Sequence, residues 1–169
     1  MNTTAVVRTP DFDNNVTRAV ASNWSLAAIY RISSGAPLDV QTGQDNALSS
    51  TTRQRPNLIA GRDPYLDRSG KPGTLYLDRT AFAAPAPGTF GNLERNSLRG
   101  LKTWTFDLAL SRNFAVTQGQ RVEFRVEAYN VTNSFRPVNP ATGLNSGTFG
   151  LVREAQAARV LQFALKYQF

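Results

Sequence analysis

Residues 121–131 read RVEFRVEAYNV. Val122, Phe124, Val126 and Ala128 fall on one side of a period-two alternation; Arg121, Glu123, Arg125 and Glu127 fall on the other. Successive side chains of a strand point to opposite faces, so this stretch predicts a β-strand with one apolar and one charged face. Just upstream, TWTFDLALSRNF (103–114) alternates in the same way. Trp104, Phe106, Leu108 and Leu110 share one face, and Thr103, Thr105, Asp107, Ala109 and Ser111 share the other. The connecting AVTQGQ (115–120) is short and holds Gly119, so the two strands are expected to form a hairpin.

Two further strands follow from the same reasoning. RVLQFALKYQF (159–169) places Leu161, Phe163, Leu165, Tyr167 and Phe169 on one face. WSLAAIYRI (24–32) places Trp24, Leu26, Ala28, Tyr30 and Ile32 opposite Ser25, Ala27, Ile29 and Arg31. After Ser33-Ser34-Gly35, residues 36–41 are expected to resume that strand, with a bulge or bend at Pro37, which cannot donate to a ladder.

The remaining connections, 42–102 and 132–157, are rich in Gly, Pro, Asn, Asp, Ser and Thr. A structureless loop as long as the first argues against a compact soluble domain. Outer-membrane barrels alternate long external loops with short periplasmic turns, and the order here is long, short, long. One orientation satisfies all three: the 115–120 turn is periplasmic and both long connections are external. The expected fold is therefore all-β, with antiparallel strands forming part of a transmembrane β-barrel with long external loops. Trp104, Phe163, Tyr167 and Phe169 are expected near strand ends, as aromatic girdles. Alternation alone equally fits a half-buried sheet in water, as in a soluble β-sandwich-like binding module for carbohydrate. The long loops and the terminal aromatic strand favour the membrane.

Composition narrows the function. Of 169 residues, 41% are hydrophobic and 18% charged, too apolar for a disordered chain. No apolar run is long enough for a transmembrane helix, whereas barrel strands need only about 9–11 residues. The chain has no cysteine and no histidine, which removes thiol chemistry, the commonest general base and the commonest metal ligand. No enzymatic activity, cofactor or metal is expected. The net charge of +7 comes from scattered arginines such as Arg8, Arg18, Arg31, Arg53 and Arg55 rather than a run, so no nucleic-acid partner is expected. MNTTAVVRTPDFDNN (1–15) lacks the apolar core of a secretory signal. Residues 1–22 stand apart as a poorly defined N-terminal segment.

Several stretches resemble TonB-dependent outer-membrane receptors of the Oar-like type, whose full-length members carry a carboxypeptidase-regulatory-like N-terminal domain. They are NWSLAAIYRISSGAPLDV (23–40), RPNLIAGRDPY (55–65), AFAAPAPGTFGNLERNSLRG (81–100) with the strand that follows it, VEFRVEAYNVTN (122–133), TFG (148–150) and the closing RVLQFALKYQF. The resemblance covers 23–169 and is specific in combination, weak motif by motif. It implies the C-terminal part of a plugged barrel of 22 strands, energised through the TonB complex, that takes up iron chelates, vitamins or oligosaccharides. The recognisable strands number about four and cannot close around a lumen, for which about eight are needed. The chain is thus expected to be a fragment of such a receptor, reaching the TonB complex only through an N-terminal part it lacks. Its expected partners are outer-membrane lipid and the barrel-assembly machinery, in the cell outer membrane of a Gram-negative bacterium.

The resemblance also implies a role for the closing strand. Phe163, Leu165, Tyr167 and Phe169 would form the signal read by the assembly machinery through strand addition. Arg121, Glu123, Arg125 and Glu127 would either line a lumen or pair charges across strands on a wet face. Asp11, Asp13, Asn14 and Asn15 offer hard oxygens but lack calcium-loop spacing. Asp63, Asp67, Asp78 and Glu94 leave a carboxylate-based hydrolase open in principle, as an acid and base pair, but are expected in turns and caps, and Gly88, Gly91, Gly100, Gly143, Gly147 and Gly150 in loops.

Overall fold

The computed structural model describes residues 1–169 in full. Nine strands and one short α-helix occur in the order β1 (Asn2–Arg8), α1 (Asn15–Ala21), β2 (Trp24–Ser33), β3 (Pro37–Leu38), β4 (Asn57–Leu58), β5 (Phe82–Ala83), β6 (Leu98–Arg99), β7 (Thr103–Thr117), β8 (Gln120–Tyr129) and β9 (Val160–Gln168). A 3-10 turn spans Arg79–Ala81. The chain divides into two compact units, one of residues 1–32, 104–135 and 157–169, the other of 33–103 and 136–156.

The first unit is a five-stranded sheet in the order β1-β2-β7-β8-β9. β1 pairs antiparallel with β2, β7 with β8, and β8 with β9. Between β2 and β7, Asn113 donates its amide to the Asn23 carbonyl, and Arg31 meets Asp107. The two numberings run in opposite directions there, as an antiparallel pair requires. The β7–β8 hairpin is tighter than the sequence suggests: only Gln118 and Gly119 lie between the strands. Gly119 takes φ 91°, the left-handed region such a turn demands.

β1 had no strong signature in the sequence. NTTAVVR is exposed along its whole length, and each face carries one valine, Val7 or Val6, among small or polar residues. The segment 1–22 holds this strand, which pairs from Asn2 opposite Arg31 to Arg8 opposite Ser25, and the helix α1. Residues 36–41 do not resume β2. Pro37 and Leu38 instead pair with Arg99 and Leu98 in the second unit, because Gly35, at φ 98°, turns the chain where its α-carbon lies against the Gly100 carbonyl.

The second unit holds most of the two long connections together with residues 33–41, and it is not structureless. Leu38, Val40, Tyr76, Leu77, Ala81, Phe82, Leu93, Leu98, Leu101, Phe149 and Val152 form a buried apolar core there. Backbone bonds join the two segments: Gln41 to Thr142, Tyr76 to Gly150 and Val152 to Thr74. Apolar side chains scattered through Gly- and Pro-rich sequence collapse without regular strands, which is why periodicity did not reveal them. Every residue of this core belongs to the second unit. None comes from β7, β8 or β9, whose alternation is the strongest in the chain.

Candidate functional site

The registers fix the two faces of the sheet. Leu108, Leu110 and Phe114 stand opposite Ala128, Val126 and Val122, which stand opposite Leu161, Phe163 and Tyr167. On β2 and β1 the same face carries Trp24, Leu26, Ala28 and Tyr30 beside Val7, Ala5 and Thr3. Tyr30 and Trp104 meet at 6.2 Å, confirming that β2 and β7 share this face.

Apart from the hairpin end, where α1 reaches Trp24 and Arg112, no element packs over this face. Phe163 is 66% exposed, Leu165 74%, Tyr167 53% and Phe169 96%. Burying a large apolar side chain contributes about 1.5–3 kcal/mol, so the exposed parts of these four alone forfeit about 4–9 kcal/mol in water. That is on the order of the entire stability of a domain. A sheet of this composition requires an apolar surround, and a half-buried sheet packed on its own core is not what the chain builds.

Aromatic side chains mark both ends of the face. Tyr30 and Trp104 lie at the end from which the long connections leave; Trp24, Phe114, Tyr167 and Phe169 lie at the hairpin end. Trp104 and Phe114 are separated by ten positions of β7, about 33 Å along a strand. At a tilt of about 40° this spans about 25 Å, the height of the apolar band of an outer-membrane barrel. Phe163 departs from the girdle expectation. It stands opposite Val126 in mid-strand, because β9 enters the ladder only at Val160.

The opposite face is polar. Glu123, Arg125 and Glu127 alternate along β8 with Gln162, Ala164 and Lys166 of β9 beside them, lining a concavity of about 310 Å³. The ion pairs run along the strand, not across it: Arg125 lies 2.6 Å from Glu123 and 3.6 Å from Glu127. Arg31 and Asp107 add a cross-strand pair at 2.7 Å between β2 and β7.

Where the long connections leave, the polar side chains act as a clasp. Asp107 accepts from Arg31 with one carboxylate oxygen and from the Asn130 amide, at 2.8 Å, with the other. Asn130 has φ 52°, a left-handed conformation that asparagine tolerates better than most residues. Its side chain accepts from the amide and hydroxyl of Ser134 and donates to the Ser134 carbonyl. The Ser134 hydroxyl reaches the Trp104 carbonyl, and Asn133 accepts the Arg159 amide ahead of β9. The asparagines of YNVTN thus tie β7, β8 and the start of β9 together. Sequence reasoning found this motif only as a resemblance; its chemistry is that of a strand-end cap.

Motifs in the second unit are likewise architectural. A Cβ at Gly91 would fall 2.1 Å from the Arg55 carbonyl oxygen, and one at Gly150 would fall 2.3 Å from that of Leu77. Asp63 and Asp67 accept amides two residues on, and Asp78 caps the 3-10 turn. Glu94 gives its carbonyl to Ser97. Asn14 caps α1 through the Val16 amide, while Asp11 and Asp13 lie before it.

An antiparallel sheet with an uncovered apolar face, aromatics at both ends of that face and a charged reverse is the wall of a transmembrane β-barrel. The sequence family described as outer membrane beta barrel domain matches residues 1–162, and the chain belongs to that family. The family places the chain at the outer membrane. No curated protein and no solved structure matches it.

Proposed function

We propose that the chain is the C-terminal part of the barrel of a TonB-dependent receptor that takes up an iron chelate, a vitamin or an oligosaccharide across a Gram-negative outer membrane. The observation that carries this reading is the inverted burial: the compact core lies in the second unit, whereas the long strands of the first expose their apolar face. A small barrel needs only a wall. A receptor needs large folded loops where solute arrives, and two connections that fold around a shared core supply them.

The topology supports a larger barrel. Alternating antiparallel pairing makes β1 and β9 run in the same direction, so they cannot close on each other antiparallel. Five strands are also fewer than the about eight that enclose a lumen. In lipid both free edges need partners, and an odd number of additional strands gives the even total usual for such barrels. On this reading Phe163, Leu165, Tyr167 and Phe169, all on the lipid face, present β9 to the barrel-assembly machinery, and the polar row of β8 faces the lumen.

The test is uptake. Cells producing the whole protein, with and without a working TonB complex, are given labelled iron chelates, cobalamin and oligosaccharides. Accumulation of one of these only when TonB works supports the reading. Outer-membrane insertion with no TonB-dependent uptake of any of them contradicts it.

A further inference from the structure

We propose that α1 is an in-plane membrane anchor, lying outside the barrel wall and seated among the phospholipids of the periplasmic leaflet. The proposal rests on the barrel-wall reading of the sheet and goes beyond it.

The helix lies at the hairpin end, between β1 and β2. Two bonds fix which face of the sheet it covers. The Trp24 indole donates to the Val20 carbonyl at 2.8 Å. The Arg112 guanidinium donates to the Ala19 carbonyl and, at 3.4 Å, to that of Arg18. Trp24 and Arg112 both project from the apolar face; Arg112 stands opposite Phe124. The helix therefore rests on the lipid side of the wall, not over the lumen.

Arg112 favours a covering element there. A cation on the lipid face costs about 2–4 kcal/mol at the bilayer midplane and about 0–1 kcal/mol near the interface. Arg112 is only 9% exposed and lies 4.5 Å from the Phe114 ring centre and 5.2 Å from that of Trp24. The carbonyls at the end of α1 carry partial negative charge and receive its protons. Helix and rings together enclose the charge where the wall meets the headgroups.

The other side of the helix is what lipid would touch. Val16 and Val20, one turn apart, are 73% and 66% exposed. They adjoin the aromatic girdle through the Trp24–Val20 bond, so this apolar ridge continues the lipid-facing surface. A short amphipathic helix with a basic residue, Arg18, in its last turn suits the acyl and headgroup boundary.

Residues 1–169 hold no cysteine, so with any cysteine elsewhere in the whole protein changed to serine a direct test is possible. A single nitroxide is placed at Val16→Cys or Val20→Cys in the whole protein in outer-membrane preparations. Leu165→Cys serves as the lipid reference and Gln118→Cys, in the hairpin turn, as the aqueous one. The ratio of oxygen to nickel-chelate collision is expected to be several-fold higher at Val16 and Val20 than at Gln118. Ratios equal to that of Gln118, with Leu165 still high, overturn the proposal and leave the barrel wall standing. A Leu165 ratio as low as that of Gln118 overturns both.

Discussion

The Asp107 carboxylate takes the Arg31 guanidinium at 2.7 Å on one oxygen and the Asn130 amide at 2.8 Å on the other, so one buried side chain joins β2, β7 and the end of β8. The two bonds differ in worth. The Arg31 side chain is 52% exposed and that of Asp107 11%, so screening limits the ion pair to about 1 kcal/mol or less. The amide bond is buried, and an orphaned amide costs about 1–3 kcal/mol. Asp107→Ala should therefore destabilise the barrel by about 2–3 kcal/mol, with Arg31→Ala and Asp107→Asn costing about 1 kcal/mol or less. Denaturant unfolding in lipid vesicles measures the difference; equal losses for Arg31→Ala and Asp107→Ala would show the ion pair dominating.

Asn130 offers a second test, because backbone and side chain make separable contributions. Asn130→Gly keeps the left-handed φ but loses the bonds to Ser134. Asn130→Ala loses both and should cost about 1 kcal/mol more than glycine. Hydrogen exchange at Val131 and Ser134 should rise in both variants.

In the second unit, Gly150 has φ 77° and no room for a Cβ beside Leu77. Gly150→Ala should cost that unit more than about 1 kcal/mol. Protease added to intact cells should then cut the connections faster, while the sheet remains in the membrane fraction. Gly61 also has positive φ but open space around it, so Gly61→Ala should suffer only the conformational strain.

Acid should loosen the turn after Thr42. The Ser49 amide, followed by that of Ser50 and the side chains of Gln54 and Ser49, holds the Asp45 carboxyl below its ordinary range. A depressed carboxylate contributes stability that is present above the unfolded value, near 4, and is lost as pH falls through the folded value. The protection of the Ser49 and Ser50 amides, their exchange measured relative to the intrinsic rate at each pH, should thus be unchanged between pH 7 and 5 and fall below about pH 4. Asp45→Asn should abolish this pH-dependent loss of protection.

The lock on α1 predicts a local effect. Arg112→Ala removes charge-assisted bonds worth about 1.5–3 kcal/mol. Faster exchange of the Val16–Ala21 amides, with those of β8 unaffected, is the expected outcome.

Much of the wall was legible in the sequence because barrel strands alternate more regularly than anything else in the chain. β2, β7, β8 and β9 fall within a few residues of their predicted limits, and the polar and apolar faces come out as read. The assembly signal at Phe163, Leu165, Tyr167 and Phe169 remains a proposal resting on resemblance and on exposure. β1 was missed because Thr3, Ala5 and Val7 make a weak stripe. Arg112 was passed over although it continues the face of Leu108 and Leu110; a lone arginine in an apolar stripe is the signal that could have found it. The folded core of the connections had no periodic signature, since its residues come from separate bends joined by tertiary contacts.

Quenching of Trp24 and Trp104, in the whole protein with any tryptophan outside residues 1–169 changed to phenylalanine, tests the lipid wall most directly. Both project from the apolar face, near opposite ends. In vesicles of phospholipid brominated either high on the acyl chain or at its terminus, both should be quenched, more strongly by the shallow bromine. Trp24→Phe and Trp104→Phe assign the two signals. Fluorescence indifferent to bromine at either depth would contradict a lipid-facing wall.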